Sequence, residues 1–320
     1  MSYHSVPRVS ADQRKRRTKS VQWSAYAYLS PAILTMCALS FLPMAFTIYI
    51  SFTNWNEMHF LNYQFVGLKN YMSLFSKGNP LAIAFIPTLL WTLIFTFVST
   101  SLNYLVGLFL AILVNEKTIK EARLYRTLLI IPWAIPALIS TLSWQGLLNQ
   151  NYGQINALLH IFHIPPIPWL VDPFWARLSV ILVNLWLSFP YFMTVSLGAL
   201  QAIPTEQYES AEIDGASYWQ KLVYITIPNV WRVTIPLLIP AYSATFNNFN
   251  IIFLLTGGGP PRLNTQFAGY TDILASSAYK IALQFNRYDL SATLSVVLFI
   301  MVGIISIINM RFTNAFKGDD

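Results

Sequence analysis

Six stretches of this chain stay apolar for about 20 residues or more, the length an α-helix needs to cross a hydrocarbon core of roughly 30 Å. They lie near 25–52, 84–114, 127–148, 177–202, 232–256 and 290–311. No water reaches that core, so every backbone N–H and C=O must be paired within the segment, and each run is predicted to be a helix. No charge stands well inside any run; Arg126, Arg177, Arg232, Asp289 and Arg311 fall at the ends. Only 10% of the residues are charged, against about 25% in an ordinary soluble domain. The fold class that follows is an all-α integral membrane protein of six transmembrane helices over 25–315. A basic tail, 1–24, precedes it and a short tail, 316–320, follows.

Basic residues orient the spans. With the amino terminus inside, 14 of the 20 Lys and Arg fall in cytoplasmic segments, and the positive-inside rule then puts both termini in the cytoplasm. The net charge of +7 calls for no nucleic acid, since anionic inner-leaflet lipid suits the R-K-R-R-T-K cluster at 14–19. The first run is too long for the h-region of a signal peptide and is expected to be a retained anchor. The single cysteine, Cys37, excludes a disulfide framework within the chain and a cysteine-based metal cluster. His4, His59, His160 and His163 fall in the tail or in outside loops, so no metal site is expected.

Between the fourth and fifth runs the chain turns polar over 204–228. Pro204 and Thr205 open a short helix that Thr205 is placed to cap, and Glu206 and Glu209 suit the positive end of its dipole. Gly215 breaks that helix. Ser217 and Gln220 have the spacing of a capping box that starts a second one, with Trp219, Leu222 and Val223 on one face. Pro228 is expected to end it. The product is a helix–glycine–helix elbow on one membrane face, suited to docking a soluble partner; the alternative is a solvated hairpin.

Polar residues inside the runs are neutral. The third run holds Pro132, Trp133 and Pro136, which predict a kinked or unwound helix. In the fourth, Asn184, Ser188 and Tyr191 are spaced four and three and share a helical face, with Trp186 between them. The fifth carries Asn247, Asn248 and Asn250. Amides, hydroxyls and aromatic faces suit an uncharged polyhydroxylated ligand, although asparagines also serve as glue between helices. The hydroxyls of the second run, Thr88 to Ser101, are expected to make such helix contacts. Ion-coupled carriers generally need intramembrane carboxylates, and an enzyme needs an acid–base pair; the runs hold neither. No G-x4-G-K-[ST] phosphate loop is present, so nucleotide is not bound in that way.

Several of these segments resemble a known family. Glu209-Ser210-Ala211, then Gly215, Ile225, Ile227 and Pro228, are similar to the E-A-A-x3-G-x9-I-x-L-P loop of ABC importer permeases, and Asp214 and Ala216 complete a D-G-A core common in the sugar-importing branch. Phe65 to Tyr71 resembles the F-V-G-L-x-N-Y of sugar permeases. Asn184 to Tyr191, Leu197 to Pro204, Asn247-Asn248-Phe249, Gly258-Gly259-Pro260 and Ala268 to Asp272 resemble maltose/maltodextrin permease subunits. The resemblance covers the chain from about residue 25 and implies a type I importer permease.

It also implies that Glu209, Ser210, Ala211, Asp214, Gly215, Ala216, Ile225 and Pro228 form the coupling elbow. Asn184, Leu187, Ser188, Tyr191 and Asn248 match positions around the sugar, with Trp133 at a matching aromatic position; Asn247 joins them from its place in the amide cluster. Ser188 replaces a glycine of the family and Trp133 a tyrosine, which bears on the particular sugar. The implied setting is a bacterial or archaeal plasma membrane. The implied partners are a second homologous permease, a cytoplasmic ATPase dimer that holds the ATP and Mg²⁺, and an extracellular or periplasmic sugar-binding protein. The cargo is an oligosaccharide, maltose or maltodextrins, with another neutral sugar or glycoside as the alternative. An ion-coupled secondary sugar carrier is the reading from a different class.

Overall fold

A computed structural model describes residues 26–116 and 118–312. The expected tails at 1–24 and 316–320, and Lys117, lie outside the described residues. The described chain is helical, with no β-strand among the described residues, and it divides into two units, one ending at Ile50 and one beginning at Ser51.

The helix α1, Tyr26–Ser51, belongs to the first unit as far as Ile50. Most apolar side chains along it, Leu29, Leu34, Leu39 and Phe41 among them, are exposed. Within it a π-helical segment spans Cys37–Phe41, closed by the Leu42 N–H on the Cys37 carbonyl. Pro43 follows two residues later. A proline cannot donate to the carbonyl four residues back and its ring crowds that carbonyl. Here that carbonyl belongs to Leu39, at the centre of the wider turn.

The second unit holds α2 (Lys69–Ser73), α3 (Pro80–Asn115), α4 (Ala122–Ala134), α5 (Ala137–Leu147), α6 (Gln154–Ile161), α7 (Pro173–Gln201) and α8 (Thr205–Ile213). It continues with α9 (Tyr218–Phe246), α10 (Phe249–Leu255), α11 (Leu274–Leu283) and α12 (Tyr288–Phe312). Both long central helices start on the same device. Asn79 accepts from Leu81 N–H ahead of Pro80, and Asp172 accepts from Phe174 and Trp175 N–H ahead of Pro173. Each cap satisfies donors that a helix start leaves free, and proline is well placed where its missing N–H costs nothing. At 36 residues, α3 is about 54 Å long and outreaches a bilayer core.

The centre of this unit is the crossing of α3 and α7. A Cβ on Gly107 would lie within 2.9 Å of Phe192 Cβ and C and of Met193 N, so the two backbones touch there, as small residues in membrane helices permit. Ala111, Met193, Ala199, Leu200 and Val230 are buried around the contact. A line of hydroxyls ties α3 to α9: Thr100 donates to Thr245 at 3.1 Å, and Ser101 pairs with Tyr242 at 3.0 Å and Tyr104 with Thr234 at 2.9 Å. Thr100 and Ser101 of the second run thus serve helix contacts, as expected, whereas the buried hydroxyls of Thr88, Thr96 and Ser99 have no hydrogen-bond partner among the described residues.

The third span is broken, as its prolines predict: it is two helices, α4 and α5, bent by 91°, with the break at Pro136, which holds Ile135 in extended backbone, whereas Pro132 stays inside α4. Four expectations need correction. Pro228 does not end the elbow's second helix. A π-helical segment at Leu222–Thr226 precedes it, with Tyr224, four residues before the proline, at its centre, so α9 runs unbroken from Tyr218 into the fifth span. That span then breaks at Asn247–Asn248, inside the expected 232–256, before α10 resumes. Thirdly, Thr205 does not cap α8: it is the first helical residue behind Pro204, and no side chain caps that end. Lastly, the stretch between the fifth and sixth runs is more than a connection and contains α11. Leu274, Ala278 and Ile281, spaced to share a face, are buried with Leu290 and Leu294 of α12.

The α3–α7 contact gives a direct test. Gly107→Val should lower the midpoint of thermal unfolding in detergent by many degrees and reduce the yield of folded protein. Gly198→Val, where an added Cβ meets nothing within 4 Å, should shift the midpoint far less.

Candidate functional site

Three polar features stand out from the apolar bundle, and they are taken from one end to the other. The elbow joins α7 to α9 through α8. Gly215 has φ +74°, a left-handed turn that costs L-residues about 1–2 kcal/mol, and the Ala216 N–H donates back to the Ala211 carbonyl at 2.8 Å to close α8. The capping box forms: Ser217 N–H donates to Gln220 Oε1 at 2.7 Å, and Gln220 N–H to Ser217 Oγ at 3.4 Å. Tyr208 pairs with Thr226 at 2.9 Å and Asn229 donates to Gln207 at 3.1 Å, so α8 is tied to the start of α9. Lys221 reaches Glu212 at 2.7 Å; that pair is open to solvent and adds little.

The outer surface of the elbow carries large apolar side chains among its polar ones. Ile213 is 87% exposed, and Trp219 and Tyr224 are 70% and 77% exposed. Ala211, Asp214, Gly215, Ala216, Gln220 and Ile225 line a shallow hollow of about 320 Å³ at the turn. Glu209 and Ser210 are exposed on α8, and Pro228 lies within α9, exposed. The structure therefore gathers Ala211, Asp214, Gly215, Ala216 and Ile225 at one hollow and places Glu209, Ser210 and Pro228 beside it.

Further along the bundle, the break in the fifth span meets α7. The Asn248 amide donates to Asn184 Oδ1 at 3.1 Å. Asn184 is 2% exposed, and its own Nδ2 has no hydrogen-bond partner among the described residues. An unpaired buried donor costs about 1–3 kcal/mol, so this amide is set to receive an acceptor. Two turns along α7, Tyr191 meets Trp133 edge-on, ring centroids 6.2 Å apart, and Trp133 is largely exposed. Ser188 lies between them, half-buried.

Two other expected residues are placed differently. Asn247 is exposed and its amide donates to the Ser243 carbonyl at 3.2 Å, closing the end of α9. Leu187 packs against the buried cluster that includes Trp91, Phe95 and Val183.

The third feature, at the opposite end, is one that sequence reasoning passed over. Asp272 is fully buried. Its carboxylate accepts from Gly269 N–H at 2.7 Å, Ser276 Oγ at 2.7 Å and Lys280 Nζ at 2.6 Å. A Cβ on Gly258 would fall on this carboxylate, so the glycine-rich segment closes directly over it. Thr271 donates to the Gly259 carbonyl at 2.6 Å, and Trp91 Nε1 on α3 donates to the Thr271 carbonyl at 3.0 Å. Arg177, near the start of α7, donates to the Tyr270 carbonyl at 3.0 Å, with its guanidinium 4.7 Å from the Trp91 ring centre. The signal in the sequence is the Asp272–Lys280 spacing of eight, about two helical turns.

Spans, a helix–glycine–helix turn at one end, and a discontinuous span that brings neutral amides near an aromatic pair make up this arrangement. In fold it is similar to a crystal structure of a bacterial ABC transporter involved in the import of the acidic polysaccharide alginate. The TM-score is 0.78 at 23% identity, covering 95% of this chain and 100% of that one. Residues 103–316 match the family of binding-protein-dependent transport system inner membrane components, and the chain belongs to that family. It is 38% identical to the galactooligosaccharides transport system permease protein GanP of Bacillus subtilis (strain 168), over 91% of this chain and 70% of that protein. It is 35% identical to the maltodextrin transport system permease protein MdxF of the same organism, over 92% and 70%. The chain is thus the multi-pass membrane permease of a bacterial ABC importer, a transporter subunit rather than an enzyme.

The buried ion pair can be tested alone. Removing one partner of a buried pair typically costs about 3–5 kcal/mol. Asp272→Asn should therefore lower the thermal unfolding midpoint markedly, and Asp272→Asn with Lys280→Gln should recover much of the loss, as read by unfolding of the purified protein.

Proposed function

We propose that this chain forms half of the translocation pathway for a neutral oligosaccharide, of maltose or maltodextrin type, with a second homologous permease forming the other half. The observation that carries this is the Asn184 Nδ2, buried, unpaired among the described residues and one bond from Asn248 at the broken span. A sugar hydroxyl accepts from such an amide, and the Trp133–Tyr191 pair offers aromatic faces to the C–H side of a sugar ring. From Asn184 to Tyr191 the face runs about 10 Å along α7, long enough for more than one ring. The names of GanP and MdxF support an oligosaccharide cargo. The first of them keeps another neutral oligosaccharide, such as a galactooligosaccharide, as the alternative.

The elbow we assign to the cytoplasmic face, with both termini on the same side, on the strength of the basic-residue distribution. Its exposed Ile213, Trp219 and Tyr224 then meet an ATPase dimer, which holds the ATP and Mg²⁺; this chain supplies neither nucleotide nor metal ligands to that chemistry. A soluble sugar-binding protein delivers cargo at the opposite face. Closure of the ATPase dimer biases the bundle between two arrangements, and the elbow's rigid attachment to α9 carries that motion into the broken fifth span.

Two experiments separate these claims. In proteoliposomes containing the whole transporter, Asn248→Ala should lower maltotriose uptake efficiency about fivefold or more, from ~1 kcal/mol for a lost hydrogen bond plus the penalty for unpaired amides. Equal uptake by the parent and by Asn184→Ala, Asn248→Ala and Tyr191→Ala would leave these residues as helix glue. Gly215→Leu strains the turn without a clash, since a Cβ there meets nothing within 4 Å. It should abolish ATP-driven uptake while the protein remains inserted; ATPase that co-purifies normally and drives normal transport would refute the docking role.

A further inference from the structure

Beside the Asp272 network lies a cavity of about 830 Å³, lined among others by Pro80, Thr256, Pro261, Arg262, Gln266 and Lys280. Its position follows from α7. Arg177 near the start of that helix holds the Tyr270 carbonyl, and 24 residues later Gln201 leads into the elbow; at 1.5 Å per residue the two are about 36 Å apart. The cavity is therefore at the end of the bundle remote from the elbow.

The charges around it are unbalanced. Arg262 donates through Nε to the Gly269 carbonyl at 3.1 Å, and its guanidinium lies 5.2 Å from the Tyr270 ring centre. Arg177 approaches the same ring at 5.7 Å, and Lys280 is bound to Asp272. Three cations are thus gathered about Tyr270 and Asp272, with one carboxylate among them. Arg262 Nη2 is buried with no partner among the described residues. Burial, and then the nearby charge of Arg177, push the Arg262 guanidinium below its ordinary pKa, against the smaller opposing pull of Tyr270 and Asp272. At the rim, Leu263 is fully exposed.

We propose that this cavity receives an aspartate or glutamate side chain of the soluble sugar receptor, with Arg262 as its partner and Leu263 as the apolar contact beside it. The inference rests on the importer reading above and adds the anchor point. An arginine whose fork is held by backbone and ring is pre-organised for a carboxylate. Half-buried arginine beside exposed leucine is the chemistry of an interface centre ringed by weaker contacts. The volume exceeds that of a free anion and admits a protein loop. A phospholipid headgroup would bring acyl chains, and against those the rim offers Asn264 and Gln266.

The test uses the whole transporter in nanodiscs and, as probe, the maltodextrin-binding protein isolated from the same organism on immobilised amylose, with maltotriose present. Arg262→Glu should weaken its binding tenfold or more and Arg262→Lys less. Leu263→Asp, at a side chain with no packing role, should weaken it severalfold. The salt dependence of binding should shrink in Arg262→Glu. Parental affinity in both Arg262→Glu and Leu263→Asp would overturn the proposal. So would a loss in Arg262→Glu seen only in nanodiscs of anionic lipid, since the occupant would then be a headgroup. If Arg262→Glu does not fold, Leu263→Asp decides. A parental transporter that neither binds this protein nor is stimulated by it would instead count against the maltodextrin assignment, and the outcome is distinct because it appears before any substitution is made.

Discussion

At Gly107 the backbone of α3 rests on that of α7, and the second unit is arranged about that contact. In lipid, helices gain little from hiding apolar surface, so close backbone approach and hydroxyl pairs must hold them together. Both are present on α3: glycine toward α7 and the hydroxyls of Thr100, Ser101 and Tyr104 toward α9. The helix that carries the broken span is thus braced against the helix that carries Asn184. That is what lets an amide from each meet.

Breaks in the spans are tolerable for the same reason. A backbone opened inside a membrane must be paired by protein or line a polar space. Pro136 opens one between α4 and α5, next to the Trp133–Tyr191 pair; Asn247 and Asn248 open the other, with Asn247 closing α9 and Asn248 turned to Asn184. The proline-linked π segments are a milder form, widening a helix without ending it. Through the second of them the elbow's second helix continues into the fifth span as one helix.

The two ends of the bundle differ in their electrostatics. The elbow displays apolar side chains on a frame of local hydrogen bonds, with its ion pair in solvent. The other end buries a carboxylate under glycines and surrounds it with arginines and lysine. Burying that charge is costly unless its oxygens are filled, and three donors fill them.

Much was legible in the residues alone. Six apolar runs imposed the all-helical membrane fold, because a chain in lipid has few other ways to pair its backbone. Ser217 with Gln220 and the glycine at 215 announced the elbow, since capping and left-handed turns are decided within a few residues. The resemblance in 204–228 and 184–272 led to the family. Tertiary structure alone decided the rest. Whether Pro228 stops a helix depends on the wider turn before it, and whether Asn247 or Asn248 faces α7 depends on where α9 ends. The α11 helix and the Asp272 network left no more than the Asp272–Lys280 spacing along the chain. Their reason is partners from distant segments, Trp91, Arg177 and Gly258, which sequence spacing does not bring together and packing does.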